Sequence, residues 1–238
     1  MPEPEDNIID TIRKTIPPIN GEGWKFITLF AVVTAFLGML SAKLFWIGVV
    51  LTLWCAYFFR DPIRVVPARS GLIVSPGDGL VQKIVSIAPP GELGLGAGER
   101  TRISIFLNVF DVHVNRIPIS GTITAMHYRP GAFFNASLDK ASEENERQYV
   151  SITTEGDKTI GLVQIAGLVA RRIVCHLTKD QKVQSGERFG LIRFGSRVDV
   201  YLPAGAEPLV IAGQRVLGGE TILADLNSSE TARTGTPV

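Results

Sequence analysis

The sequence predicts a mainly β (α+β) fold, an antiparallel, β-rich, barrel-sandwich-like domain behind an N-terminal apolar helical hairpin. Three observations lead there. One apolar run, Phe26 to Phe59, carries a single charge, Lys43. From about Leu72 the texture changes to short Val- and Ile-rich runs punctuated by Gly, Pro and Asp, the pattern of antiparallel strands and turns. The net charge is +1 and the mean hydropathy +0.22, so no charge excess points to nucleic acid and the hydropathy excess comes from that one run.

Residues 1–25 read as a polar N-terminal segment with a short amphipathic piece, "NIIDTIRKTI", closed by Pro17-Pro18. The following run, "FITLFAVVTAFLGMLSAKLFWIGVVLTLWCAYFF", would reach roughly 51 Å as one helix at about 1.5 Å per residue, against a hydrocarbon core of about 30 Å. Split at Lys43 it gives Phe26–Ala42 and Leu44–Phe59, each at the lower limit for one span. Arg13, Lys14 and Lys25 precede it and Arg60, Arg64 and Arg69 follow it. Basic flanks at both ends put both on the cytoplasmic face of the cell membrane, favouring a hairpin over one long tilted helix. Spanning twice and re-entering from one face both fit. The run starts late, after "MPEPED", and is too long for the apolar core of a signal peptide. Cys55 and Cys175 are isolated, so neither a disulfide framework nor a metal site is expected.

Residues 60–226 form the β-rich domain. It opens with the Pro-bearing connector "RDPIRVVPARSG" and continues through "GLVQKIVSI", "TRISIFLNV", "ISGTITAMHY", "YVSITTEG", "TIGLVQIAG", "RRIVCHL", "LIRFGSRVDVYLP" and "LVIAGQRVLGGETIL". "TTEGDKT" reads as a hairpin tip. "FFNASLDKASEENERQ" is the one stretch here that suits a helix, with Asn135 or Ser137 as its cap. Residues 227–238 are polar and expected to be disordered.

The candidate chemistry starts with three histidines. His127 and His176 sit at strand ends and read as ordinary strand residues. His113 differs: "NVFDVHVNRIPISG" packs Asn108, Asp111, His113, Asn115 and Arg116 into an apolar region, where polar groups need partners or a task. "SPGDGLV" places Asp78 at a turn feeding a strand. Gly195-Ser196 interrupts the strand pattern "FGSRVDVYLP". It is not a nucleophile elbow of the G-x-S-x-G kind, because Phe194 and Val198 stand where the glycines would be. A turn serine is one reading. The other is self-cleavage: the Ser196 hydroxyl attacks the preceding carbonyl, and glycine, lacking a Cβ, tolerates the strained backbone there.

"GERFGLIRFGSRVDVYLP", together with "SPGDGLV", "NVFDVHVNRIPISG" and "ENERQ", resembles the phosphatidylserine decarboxylases, in particular their short bacterial and archaeal branch, over roughly Arg60 to Leu226. The resemblance implies a proenzyme that cuts itself between Gly195 and Ser196 into a β chain, 1–195, and an α chain, 196–238. Ser196 would become a covalent pyruvoyl group that binds the amine of phosphatidylserine and drives loss of CO2, giving phosphatidylethanolamine. Asp78 matches the acidic member of the family's processing site and His113 a histidine that assists decarboxylation. The longer bacterial enzymes read Y-H-R-V-H-M-P, and here Arg116 stands at the second histidine. His113 then serves both steps, or another group activates Ser196. Arginine is too basic for that task, but Arg116 could pair with Asp78 or with the lipid phosphate. Asn115 and Arg116 are further substrate-side candidates, and Phe133 and Phe134 candidates for an apolar mouth. Phosphatidylserine in the membrane is the implied partner, and the family also implies a homodimer. A non-catalytic membrane-tethered lipoyl-like or barrel-sandwich adaptor is the alternative, although Lys83 and Lys158 do not suit a swinging-arm carrier. A pyruvoyl enzyme for a soluble amino acid is a third reading, which the apolar hairpin disfavours.

Overall fold

The computed structural model describes residues 17–132, 144–167, 172–193 and 195–236. The chain divides into two compact units, residues 1–63 and 64–238.

The first unit is a helical hairpin. Helix α1 spans Trp24–Leu40 and helix α2 spans Ala42–Phe58. The break falls at Ser41, two residues before Lys43, because Ser41 takes extended backbone and its side chain caps α2 by accepting the Lys43 N–H. The helices meet through small residues: Thr34 Oγ1 lies 3.2 Å from Thr52 Oγ1, and a Cβ on Gly48 would come within 2.5 Å of the Thr34 hydroxyl. The base is closed by the Asn20 N–H donating to the Phe59 carbonyl and the Asp61 N–H to the Pro18 carbonyl, so both ends emerge together. One long helix is thereby excluded. Gly21–Leu40, with mean hydropathy 1.7, is long and apolar enough to cross a membrane; Ala42–Phe58 is apolar but shorter. Trp24, Phe36, Met39, Trp46, Val50 and Leu53 are exposed, an apolar exterior compatible with membrane association. The amphipathic piece expected at 7–16 lies outside the described residues.

The second unit is antiparallel β, as the alternating runs predict. Its strands are β1 Leu72–Val74, β2 Gly79–Ile87, β3 Arg100–Leu107, β4 Val114–Arg116, β5 Gly121–Arg129, β6 Arg147–Thr153, β7 Thr159–Ala166, β8 Ile173–Cys175, β9 Lys182–Val183, β10 Arg188–Ile192, β11 Ser196–Tyr201, β12 Arg215–Val216 and β13 Ile222–Asp225. Eight of them curl into one half-barrel sheet in the order β12-β2-β3-β11-β7-β6-β5-β9, while β4-β10-β8 and β1-β13 form smaller sheets. β6 and β7 join through the expected tip, where the Thr154 N–H bonds the Lys158 carbonyl. Most of the predicted 133–148 helix, with Asn135 and Ser137, lies outside the described residues. Residues 227–236 hold no helix or strand, and Arg233 donates to the carbonyls of Pro208 and Leu209.

The core lies inside the curl. Ile103, Ile105 and Leu107 of β3, Ile160 and Leu162 of β7, and Val198 and Val200 of β11 face it, each fully buried aliphatic contributing roughly 1.5–3 kcal/mol. The other face of the central strands is buried too, under Leu93 and Leu95, which pack with Tyr149, Val163, Ile165 and Tyr201. The 88–99 loop is held there by Ser151 Oγ donating to the Leu93 carbonyl at 2.6 Å. β11 is therefore buried at all six positions.

Candidate active site

β11 sits between β3 and β7. Ser196 is in register with Leu107 on one side and Ala166 on the other, so its side chain points into the curl with those of Val198 and Val200. It is fully buried, and its Oγ has no hydrogen-bond partner among the described residues. Gly195 before it has φ +69°, in the left-handed region, while its Cβ direction is open, with Val109 4.0 Å away. Backbone conformation, not space, calls for glycine there.

His113 reaches this junction from a tightly bonded turn after β3. The Asn108 N–H donates to Asp111 Oδ2 at 2.9 Å, the Phe110 N–H to Asn108 Oδ1 at 2.8 Å, and the Asp111 N–H to the Asn108 carbonyl at 2.9 Å. Arg215 pairs with the Asp111 carboxylate. The turn orients the buried imidazole: Nδ1 bonds the Asp111 carbonyl at 2.9 Å, and Nε2 accepts the Gly195 N–H at 3.2 Å. A carbonyl can only accept, so Nδ1 carries the proton and the Nε2 lone pair faces Gly195.

Asp78 is buried at the start of β2. Its Oδ2 takes Arg64 at 2.6 Å and its Oδ1 the Gly218 N–H at 2.8 Å. Burial pushes its carboxyl above the usual carboxylate range, against the pull of the Gly218 N–H and of Arg64, with the nearby Asp111 charge adding to the rise. The partner is Arg64 rather than Arg116, whose guanidinium donates to the Gly186 carbonyl at 3.0 Å.

Asn115 is fully buried on β4 and accepts Gln164 Nε2 at 2.7 Å. Glu146 and Arg147 serve the frame: Glu146 accepts the Tyr128 hydroxyl and the Ile173 N–H, and Arg147 Nε donates to the Asn145 carbonyl. Asn145 in turn donates to the carbonyl of Ala166, the register partner of Ser196. His127 and His176 are exposed. Burial raises the Cys175 thiol, which suits a structural cysteine. Phe133 and Phe134 lie outside the described residues.

Arg64 and Gln164 are the residues that sequence reasoning missed. Arg64 was hidden in the connector, counted only as a membrane-flanking charge. Gln164 had a signal: along β7 the inward row reads Ile160, Leu162, Gln164, Ala166, one amide among aliphatics.

The chain matches the phosphatidylserine decarboxylase family over residues 51–224. The chain belongs to that family. It is 56% identical over 227 residues to the phosphatidylserine decarboxylase proenzyme of Cereibacter sphaeroides, covering 95% of this chain and 98% of that one. It is 57% identical over 218 residues to the proenzyme of the same description from Paramagnetospirillum magneticum, covering 92% and 91%. Membership makes the chain a carboxy-lyase, and the domain so matched contains Asp78, His113, Asn115, Arg116, Gly195 and Ser196.

Proposed function

We propose that the chain decarboxylates phosphatidylserine to phosphatidylethanolamine and generates its own catalytic group by cutting itself between Gly195 and Ser196. The observation that carries this reading is the His113 bridge: one ring nitrogen tied to the Asp111 carbonyl, the other on the Gly195 amide, beside a buried serine hydroxyl with no partner among the described residues. A buried hydroxyl without a bond is held at a cost and calls for an explanation, and a nucleophile awaiting its reaction is one.

In the first step the Gly195 N–H releases His113 Nε2, whose freed lone pair takes the Ser196 hydroxyl proton while Oγ attacks the Gly195 carbonyl carbon. The tetrahedral adduct collapses with cleavage of the carbon–nitrogen bond, and His113 returns the proton to the departing nitrogen. An ester then joins Gly195 to the Ser196 side chain. Loss of the Ser196 Cα proton expels the Gly195 carboxylate, and water converts the resulting dehydroalanine to a pyruvoyl group and ammonia. The products are chains 1–195 and 196–238.

Ser196 fits as the carrier of that group, since it heads a strand clamped on both sides and needs no other ligand. The pyruvoyl group supplies an electron sink for the loss of CO2. His113 Nε2 is the atom that holds the proton returned to the product. Asp78 acts as the acidic member of the processing site, held by Arg64 and Gly218. Asn115 and Arg116 stand on the substrate side, and Phe133 and Phe134, outside the described residues, are assigned to substrate binding from the sequence alone. The hairpin tethers the enzyme to the cytoplasmic face of the cell membrane, where the lipid headgroup lies, and the enzyme works as a homodimer.

Intact-mass spectrometry of the purified protein beside Ser196→Ala tests the reading. The expected result is two wild-type chains split after Gly195, the smaller blocked by a pyruvoyl mass, and one uncut, inactive chain for the variant. One wild-type chain of about the 25.8 kDa sequence mass, unchanged by the substitution, would return the chain to a binding module.

A further inference from the structure

Three buried polar atoms on the inner face of the half-barrel have no hydrogen-bond partner among the described residues: Ser196 Oγ, Asn115 Nδ2 and Gln164 Oε1. Asn115, Gln164 and Ser196 are all 0% exposed, and unsatisfied buried groups are rare enough in a native fold that each needs a reason.

They belong to one neighbourhood. Gln164 is in register with Val198, and Ala166 with Ser196, so Gln164 and Ser196 are diagonal neighbours on one face of the sheet. Asn115 comes in from β4. A Cβ built on Gly77 would lie 3.2 Å from Asn115 Nδ2 and 3.2 Å from Leu107 Cδ2, and Leu107 is the other register partner of Ser196. Asn115 Nδ2 and the Leu107 side chain therefore both border Gly77, one strand over from Ser196.

Gln164 also decides which end of Asn115 is left over. Its Nε2 donates to Asn115 Oδ1 at 2.7 Å, so the acceptor end of Asn115 is engaged and the donor end is not. An acceptor there would compete with His113 for the hydroxyl proton, whereas a donor to Oγ fixes the hydroxyl and leaves its second lone pair for the carbonyl carbon. We propose that Asn115 is the positioning residue that donates from Nδ2 to Ser196 Oγ during self-cleavage, and that Gln164 holds Asn115 in that orientation. The proton balance is unchanged: the hydroxyl proton goes to His113 Nε2, and Asn115 keeps both of its own. This rests on the self-cleavage reading above and adds a relay, Gln164 to Asn115 to Ser196, to its first step.

The test follows cleavage of the full-length chain after cell-free synthesis into vesicles, by intact mass against time, with and without hydroxylamine. Hydroxylamine captures an ester as a Gly195 hydroxamate but leaves the uncut amide intact. Asn115→Leu is expected to cut at least about tenfold more slowly, and Gln164→Leu about threefold to tenfold more slowly. Asn115→Ala, smaller and without a donor, is expected to match Asn115→Leu and covers the case in which the leucine variant does not fold. All three should accumulate uncut amide and no hydroxamate. In a Ser196→Ala background each single substitution strands its partner in the Gln164–Asn115 bond, so the melting temperature should fall by several degrees while the transition stays cooperative. Cleavage at the wild-type rate, accumulation of the ester, or a matching collapse of the melting temperature would each overturn the proposal. A wild-type chain that never cuts would instead sink the self-cleavage reading, and this proposal with it.

Discussion

The two faces of β11 bury different kinds of polar group, ionised on the outside and neutral on the inside. On the outer face Arg197 and Asp199 are both about 2% exposed and form an ion pair, Nε to Oδ1 at 2.9 Å and a guanidinium N–H to Oδ2 at 3.1 Å, with Arg102 4.0 Å away across the sheet. On the inner face Ser196 is neutral and unpartnered among the described residues, next to the half-used amides of Asn115 and Gln164. Charges cannot be buried unpaired without a penalty of several kcal/mol, whereas a lone hydroxyl or amide costs about 1–3 kcal/mol. The outer face can therefore clamp the strand, while the inner face leaves the Ser196 hydroxyl unengaged among the described residues. The strand that must stay in place after the proposed cut is held from behind.

The largest effect should come from the inner face. His113→Ala removes the acceptor at Gly195, and self-cleavage is expected to slow by at least about a hundredfold, read as the uncut fraction on a time course. The fold of the uncut chain should persist.

The outer face should break differently. Asp199→Ala removes the carboxylate paired with the buried Arg197 guanidinium, with an expected loss of up to roughly 3–5 kcal/mol in stability, measured by denaturant melting of the Ser196→Ala chain. The double change Arg197→Met with Asp199→Leu should recover most of that loss. If Asp199→Ala melts like its parent, the outer face is no clamp.

Two glycines sharpen the contrast further. A Cβ on Gly79 would press into the backbone carbonyl of Phe106, which cannot yield within the β2–β3 ladder, so Gly79→Ala should lower soluble yield sharply. A Cβ on Gly77 meets only side-chain atoms of Asn115 and Leu107, at 3.2 Å each. Gly77→Ala should fold and cut more slowly, a split visible by comparing melting temperature with cleavage rate.

The smallest effects are the pH slopes of two carboxylates. Asp78 has a raised pKa in the folded chain, so any stabilisation it gives is complete at low pH and is lost as pH rises through that value. Asp225 is the reverse. The Asn227 N–H first, then Arg69, hold its carboxyl below the usual range, so its stabilisation is present at neutral pH and lost as pH falls through the lowered value. In melting curves of the Ser196→Ala chain, Asp78→Asn should improve against its parent as pH rises, and Asp225→Asn should worsen. Parallel slopes would contradict this account of Asp78.

Much of the fold was legible because it follows from local rules. The β6–β7 tip was readable from "TTEGDKT", and the hairpin from one apolar run too long for a single span. The split was read at Lys43 because a charge is conspicuous; the chain breaks at Ser41 because a serine can cap the next helix. Strand alternation misleads at β11, where a covering loop buries both faces and charges sit inside as pairs. Within the candidate site, Asp78, His113 and Ser196 were legible as chemistry out of place in apolar surroundings. Their partners were not. Nothing local singles out Arg64 over Arg116 for Asp78, since that choice depends on where the connector lies against the turn between β12 and β13.

The amino-acid sequence by itself determined which groups are available: a Gly-Ser bond that can adopt strained backbone, one histidine in an apolar run, and an apolar segment too long for a single span. Tertiary structure decided what those groups face. The Gly195 N–H meets a histidine 82 positions earlier, and an amide on β7 orients another on β4. Such pairings depend on strand register and on the closing of loops, and a one-residue slip would turn Ser196 to the clamped face and Arg197 into the core.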